Sequence, residues 1–388
     1  MNNCKRRIAI NIGGGFVPGL NAVIAGIVMA SHQLGWEVVG IRDGFDGLLF
    51  PARYPDGGTV NLTPHSIGDL YRTPGVLLGT ATHTDPFHVR NINAENAVEE
   101  LDRSDELLQM IRALDIDAVI SVVGGRALSI LFKLHRKGLK TICVPKSVEN
   151  DISSTQLSFG FNSVLSFATE VLDRARQAAE SARKIAVVEV LGEHSGWLAL
   201  QAGIAVCSDV VFIPEVRYDV TAVAAKLRAD MQTGRRSALV VVAEGAMPLA
   251  SHANDQQPID PMKASLSPGA TGSAGRHVIN RSGHAAQTVA LQLQRLTDHE
   301  TYTLVLNDLV VGGPPTAVDR QLGLGYGAGA VRALNNGESG VMVSFQPPDL
   351  KFVPLAEAIN KVRTVPADSM FMQIARSLGI LFGDEVTR

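Results

Sequence analysis

Short apolar runs recur along the chain, each ending in a glycine-rich or polar turn and followed by a segment of helical spacing. Arg7 to Ile12, Glu37 to Arg42, Ala118 to Val123 and Thr141 to Pro145 read as buried strands. Leu20 to Leu34 and Leu128 to His135 read as the helices between them. Ala94 to Leu114 also has helical spacing, with Glu95, Glu99 and Glu100 early and Asn93 placed to cap it. After a helix over Phe161 to Ala182, a second set of strands begins: Lys184 to Leu191, Val210 to Pro214, Ala238 to Ala243 and Thr303 to Val310. The alternation predicts an α/β fold of two doubly wound parallel-sheet domains. One takes residues 1–160 plus about 310–360, the other about 161–309 plus 361–388. Met247 to Gly275, rich in Ser, Ala, Asp, Gln, Pro and Gly, is the stretch expected to be a mobile loop.

Length agrees with two domains, since 388 residues exceed one ordinary core. With 46% hydrophobic and 19% charged residues, the composition is that of a compact globular protein. A net charge of −3 offers no basic surface for nucleic acid or membrane. The three cysteines, Cys4, Cys143 and Cys207, are scattered, which argues against a disulfide framework and for a reducing cytoplasm. No apolar run approaches the roughly 20 residues of a membrane span, and the basic start Cys4-Lys5-Arg6-Arg7 precedes a short strand rather than a signal sequence.

Three loops carry candidate chemistry. Gly13-Gly14-Gly15, between a strand and a helix, has the form of a phosphate cradle, although it is neither a Walker loop nor Gly-x-Gly-x-x-Gly, because Pro18 takes the place of the last glycine. A tight turn is the alternative. Gly124-Gly125-Arg126 follows a second strand. Pro145-Lys146-Ser147-Val148-Glu149-Asn150-Asp151 follows a third and sets a lysine, a hydroxyl and two carboxylates side by side. There Lys146 suits a phosphate, Glu149 a proton transfer and Asp151 a magnesium ion. A capped turn, with Asp151 at the start of a helix, is equally open. Gly323-Leu324-Gly325-Tyr326-Gly327-Ala328 fits Gly-x-Gly-x-x-Ala, but no strand precedes it. The ten histidines form no metal-ligand spacing, with His83 and His88 the nearest pair, and Gly-x-Ser-x-Gly is absent.

Taken in order, these loops resemble the phosphofructokinase family, most closely its long pyrophosphate-dependent branch. Gly14 to Asn21 is similar to that family's Gly-Gly-x-x-Pro-Gly-x-Asn opening, and Pro145 to Asp151 to its Pro-Lys-Thr-Ile-Asp-Asn-Asp loop. Val190-Leu191-Gly192-Glu193 falls at its Val-Met-Gly-Arg. Ile213-Pro214-Glu215 and Ala243-Glu244-Gly245 resemble its later strand ends, and Gly312 to Arg320 its Gly-Gly-x-Pro-Thr-Ala-x-Asp-Arg run. The tail from Arg363 to Asp384 is similar too. The resemblance implies magnesium-assisted phosphoryl transfer from ATP or pyrophosphate to a sugar-phosphate hydroxyl. It makes the first domain the donor side and the second the acceptor side. It also implies active sites between the domains, phosphate-gripping cations from a neighbouring subunit, and a homodimer or homotetramer.

On that resemblance Gly14, Gly15, Gly124 and Gly125 bind donor phosphate. Lys146, Ser147, Glu149 and Arg126 form the catalytic set, and Asp151 is the metal ligand. Lys184, Leu191, Gly192, Glu193, Glu244, Tyr302 and Asp308 are the acceptor side. The departures fall on working residues. Glu149 replaces an aspartate base and reaches about one methylene further, where ~1 Å of misplacement costs ~100-fold. Ser147 replaces threonine. Arg126 replaces a metal-ligand carboxylate and would repel magnesium. A donor arginine is replaced by Thr82 or His83. Glu193 and Val311 stand for arginines, Tyr302 for a cation and Asp308 for a histidine, while Lys184 and Glu244 are retained. Two readings follow, with a working fructose 6-phosphate kinase that has compensating residues as a third. One is a phosphotransferase whose acceptor is a polyol, sugar or nucleoside-like molecule rather than fructose 6-phosphate. The other is a catalytically degenerate paralogue that binds a ligand or assembles with an active phosphofructokinase chain.

Overall fold

The computed structural model describes residues 6–82, 84–92, 98–249 and 283–384, apart from the side chains of Asn91, Ile92, Val98 and Arg126. The chain falls into two compact units, residues 1–164 with 311–363 and residues 165–310 with 364–388. Most of the loop expected over Met247–Gly275 lies outside the described residues. Among the described residues, no helix is long and apolar enough to cross a membrane.

Fourteen strands are numbered along the described chain. The first eight are β1 (Arg7–Ile12), β2 (Glu37–Ile41), β3 (Thr59–Leu62), β4 (Val89–Ile92), β5 (Val98–Leu101), β6 (Ala118–Val123), β7 (Thr141–Ser147) and β8 (Phe159–Gly160). They are followed by β9 (Ile185–Val190), β10 (Val210–Phe212), β11 (Ala238–Ala243), β12 (Thr301–Val305), β13 (Val341–Gln346) and β14 (Asp349–Pro354). The longer helices are α1 (Leu20–Gln33), α2 (Ser104–Ala113), α3 (Gly125–Arg136), α4 (Phe161–Ala182), α5 (Trp197–Ala205), α6 (Val220–Gln232), α7 (His284–Thr297), α8 (Ala317–Asn335) and α9 (Met370–Ser377).

The first unit is built on the sheet β14-β13-β7-β6-β1-β2-β3, with β8 added beside β7. Strands β1, β2, β6, β7 and β13 run parallel, and β3 and β14 are antiparallel edges. From β1 the chain goes through α1 to β2 on one side, while β6 and β7 lie on the other. The strand order therefore reverses between β1 and β6, the place where open α/β sheets bind ligands. The second unit carries an all-parallel sheet, β10-β11-β9-β12. Strands β1, β6, β9 and β11 are almost wholly buried, as the mainly apolar strands of a parallel sheet are.

Helices α1 and α8 approach closely enough to need bare backbone. A Cβ on Gly26 would lie 2.4 Å from the carbonyl oxygen of Leu324, and one on Gly327 2.4 Å from that of Val23. The Gly-x-Gly-x-x-Ala run therefore lies inside α8 and serves helix packing, as the lack of a preceding strand implied.

Two elements differ from the sequence expectation. The helix drawn over Ala94–Leu114 begins only at Ser104, and Val98–Leu101 is a strand paired antiparallel with Val89–Ile92. Arg90 sits opposite Glu100 in that strand pair, so one of the acids read as a helix start, Glu100, supplies a cross-strand charge pair, at 3.8 Å. Asp102 accepts from the Ser104 amide where the helix begins, while Asn93 lies outside the described residues. The strand drawn over Thr303–Val310 runs instead from Thr301 to Val305. Asn307, at φ 33°, then turns the chain into a 3-10 turn over Asn307–Val311, because a strand cannot continue through a left-handed residue.

Candidate active site

At the switch point of the first sheet, the turn after β1 is held on both flanks. The Gly13 amide donates to Val122 and the Gly14 amide to Ala81, at 3.1 and 2.7 Å, and the Thr80 hydroxyl donates to the Gly14 carbonyl. Gly14 takes φ 82°, which its lack of a side chain permits. Two amides expected to face an anion are thus spent on the protein itself, and Gly15 is the exposed member of the turn. The second glycine pair opens α3, with Gly124 as its extended N-cap, so the first amides of that helix point out of the sheet edge near β6.

Between these turns runs the end of β7. Lys146 is 3% exposed, and its amine donates to the carbonyl of Gly15. Burial pushes its pKa down to about 7. Ser147, 9% exposed, donates its hydroxyl to Asp151 and accepts from the Glu149 amide at 3.1 Å. The loop that follows closes on its own strand, because Lys146 and Ser147 of β7 pair with Phe159 and Gly160 of β8. Asn150 locks the closure. It adopts φ 55°, its amide nitrogen donates to Gln156 at 3.2 Å, and its side-chain oxygen accepts from Ser158 at 3.0 Å.

The alternative of a capped turn with Asp151 starting a helix is therefore overturned. The next long helix starts at Phe161, and the carboxylate of Asp151 is turned back onto Ser147. Lys146 lies against Gly14 and Gly15 of the first turn and, through its carbonyl, near Gly124 of the second, while Ser147 and Asp151 meet each other in the loop that also bears Glu149. The side chain of Arg126 and all of His83 lie outside the described residues, and Thr82 lies just past Ala81. For magnesium, Asp151 and the Ser147 hydroxyl are hard oxygen donors. Among the described residues no group of three or more His, Cys, Asp or Glu side chains forms a closed cage. An open set of this kind fits an ion that takes the rest of its shell from a phosphoryl donor and water.

The expected acceptor residues of the second unit separate into two sets. Leu191, Gly192 and Glu193 follow β9, Glu244 follows β11 and Asp308 follows β12, all at the carboxyl ends of parallel strands. Lys184 and Tyr302 stand at the opposite ends of β9 and β12, with Lys184 seven residues and roughly 23 Å from Leu191 along β9. Lys184 is paired with Glu300 at 2.7 Å, and the Tyr302 hydroxyl donates to the Ala175 carbonyl at 2.7 Å. At the carboxyl end, the Gly192 amide approaches Glu244 at 3.4 Å. Desolvation pushes the Glu244 carboxyl up, the Gly192 bond opposes this, and the charges of Glu189, Glu193 and Asp308 push it further up. Glu193 is exposed, with the His194 ring 3.8 Å away.

Three carboxylates in the resembling stretches or beside them turn out to cap helices. Glu189, 2% exposed, accepts from the amides of Gly283 and Ala286 at the start of α7. Glu215 accepts from Gly196 at the start of α5 and from the Val365 amide. Asp319 accepts from the amide and hydroxyl of Ser163 in the first turn of α4, both at 2.6 Å. Each places a negative charge at the positive end of a helix dipole. Sequence reasoning missed one residue that acts on the loop, Arg363. Its amide donates to the Asp151 carbonyl at 2.7 Å and its guanidinium to the Asn150 carbonyl at 3.2 Å.

A model of the family described as Phosphofructokinase matches residues 7–334. The chain is 37% identical over 389 residues, with full coverage of both, to an ATP-dependent 6-phosphofructokinase of Chloroflexus aurantiacus. Among solved structures it is similar to the pyrophosphate-dependent phosphofructokinase from Marinobacter aquaeolei, with TM-score 0.72, 19% identity, and 97% of this chain and 92% of that one covered. It is also similar to phosphofructokinase from Saccharomyces cerevisiae, with TM-score 0.71 and 24% identity, covering 91% of this chain but only 45% of the yeast chain. At these identities the two solved structures speak for the fold.

Proposed function

Because the chain belongs to the phosphofructokinase family, we propose that it is a phosphotransferase whose acceptor is an alcohol lacking the phosphate carried by fructose 6-phosphate. Gly15, Lys146 and the start of α3 hold the transferred phosphoryl group. Glu149 takes the proton of the attacking hydroxyl. Asp151, with Ser147, would hold magnesium, which when bound neutralises charge on the phosphates and orients them. ATP is the donor named for the full-length relative from Chloroflexus, and pyrophosphate the one named for the Marinobacter structure. ATP is the first donor to test, given the 37% identity.

The observation that carries the acceptor half is the company of Glu244. Its neighbours Glu189, Glu193 and Asp308 all act on it as negative charges. A phosphate dianion brought to that strand end meets repulsion, whereas sugar hydroxyls or an ammonium group find acceptors. Each charge-assisted bond to phosphate that an arginine would have made is worth roughly 1.5–3 kcal/mol, so losing several outweighs what a single remaining lysine returns. Within this chain that lysine, Lys184, is also already paired with Glu300.

The test is a transfer assay with magnesium and either ATP or pyrophosphate against fructose 6-phosphate, unphosphorylated sugars, polyols, amino sugars and nucleosides, read by phosphorus NMR of the products. Transfer to an unphosphorylated or amino acceptor at 100-fold or greater preference supports the reading. Turnover of fructose 6-phosphate at an efficiency typical of enzymes, about 10⁴ M⁻¹s⁻¹ or more, sinks the acceptor half. Silence with every acceptor, together with co-purification of an active phosphofructokinase chain, replaces it by the regulatory reading.

A further inference from the structure

The first unit ends at Arg363, and that residue is fastened to the loop bearing Glu149 and Asp151. The fastening has three parts. Val362 forms an antiparallel bridge with Ile152. The Arg363 amide donates to the carbonyl of Asp151 at 2.7 Å. Its half-buried guanidinium donates to the carbonyl of Asn150 at 3.2 Å. Asn150 is the residue between the two carboxylates, and it sits in the left-handed region at φ 55°. Such a conformation persists only where its surroundings over-determine it. Here the Asn150 side chain is bound at both ends, by Gln156 and Ser158, and its carbonyl is met by the guanidinium.

We infer that Arg363 is a positioning residue: by holding the Asn150–Asp151 backbone it sets where the Glu149 and Asp151 carboxylates point. A rotation of the Asn150 peptide swings the two side chains on either side of it, and the guanidinium opposes that rotation through a charge-assisted bond to the carbonyl. Lysine is a poor substitute, since it is a point charge on a flexible stem rather than a fixed planar fork. The bland alternative is that Arg363 simply stabilises the fold, like any half-buried arginine with a carbonyl partner.

This inference rests on the proposed roles of Glu149 and Asp151, so its test has one arm that needs no turnover. The full chain is compared with Arg363→Ala and Arg363→Lys. In the first arm, hydrogen exchange is followed in peptides spanning residues 147–158 and, as controls, β1 and α8. Exchange in the loop at least 10-fold faster in Arg363→Ala, with the controls unchanged and Arg363→Lys in between, supports the inference. Equal protection in all three proteins, or faster exchange everywhere, overturns it.

In the second arm, kcat and donor KM are measured on the best acceptor found. The expected result is a 10- to 100-fold fall in kcat for Arg363→Ala, the scale of ~1 Å of misplacement, with donor KM within threefold. Added guanidinium ion should recover part of the loss. It has a route, because Arg363 lines an open hollow of about 320 Å³ with Ser154, Thr155, Gln156 and Gln346. A kcat within twofold of the parent overturns the inference, as does a fall that guanidinium does not touch and that melting accounts for. If the parent chain transfers phosphate to no acceptor, the proposed function has failed, and the exchange arm alone decides the role of Arg363.

Discussion

The side-chain nitrogen of Lys146 donates to the carbonyl oxygen of Gly15, so the end of β7 and the turn after β1 share one buried amine. Burial brings that amine's pKa down to about 7, so near neutral pH its charge state is balanced. An arriving phosphate favours the protonated form, which makes donor binding take up a proton.

Donor affinity should therefore weaken as pH rises above about 7, beyond what the donor's own titration causes. Lys146→Met should bind the donor at least 10-fold more weakly at pH 6 and lose the extra pH dependence. Calorimetric titration of both proteins from pH 6 to 9 checks this, and superimposable profiles would show that another group is responsible.

The same amine has a consequence for stability. Its folded pKa, about 7, lies below its unfolded value, about 10.4, so between these limits the unfolded chain binds more protons. Stability contributed through Lys146 is lowest below pH 7 and rises with pH toward 10.4, with a slope approaching about 1.4 kcal/mol per pH unit. Lys146→Met should flatten the rise in urea-unfolding free energy from pH 7 to 9, and an unchanged slope would refute the assignment.

Glu149→Gln keeps size and shape but removes the base. Transfer to the best acceptor should fall 100- to 10,000-fold, with donor affinity and melting temperature nearly unchanged. A loss under 10-fold would leave the proton to water or another side chain.

Gly327→Ala places a methyl 2.4 Å from the Val23 carbonyl and 2.8 Å from the Ile27 amide, both backbone atoms that cannot turn aside. Helices α1 and α8 must separate, at a cost of about 1–3 kcal/mol or more. Chemical denaturation reads this directly, and a variant as stable as the parent would contradict the close packing.

Glu189→Ala removes the acceptor of two amides at the start of α7. The buried amides are left unsatisfied, so about 2–4 kcal/mol of stability should be lost, while donor binding in the first unit stays unchanged. Loss of donor affinity without loss of stability would mean that Glu189 is more than a helix cap.

Much of this protein is legible in its sequence because local pattern and backbone state are physically coupled. Ala118–Val123, Ala238–Ala243 and Phe161–Ala182 occupy the strands and helix that their periodicity implies. The run from Lys146 to Asp151 offers chemistry by its residue types, but the choice against a capped turn came only with the contact of Asp151 to Ser147 and the helix start at Phe161. Val98–Leu101 differs from the expected helix because a strand whose Glu100 pairs with Arg90 on an antiparallel neighbour looks, along one chain, like the acidic first turn of a helix.

Local pattern carried the alternation of the main parallel strands with helices, the glycine turns and the side-by-side placing of Lys146, Ser147, Glu149 and Asp151, but not the strands β3, β4, β5, β8, β13 and β14. Tertiary structure decided which partner each polar group meets. It gave Glu189, Glu215 and Asp319 to helix ends, tied Tyr302 to Ala175, put Lys184 at the far end of β9 from Glu244, and brought Arg363 to Asn150. Periodicity is a property of neighbours a few residues apart. A hydrogen bond between residues some two hundred positions apart depends on sheet order and register, which no local stretch of chain encodes.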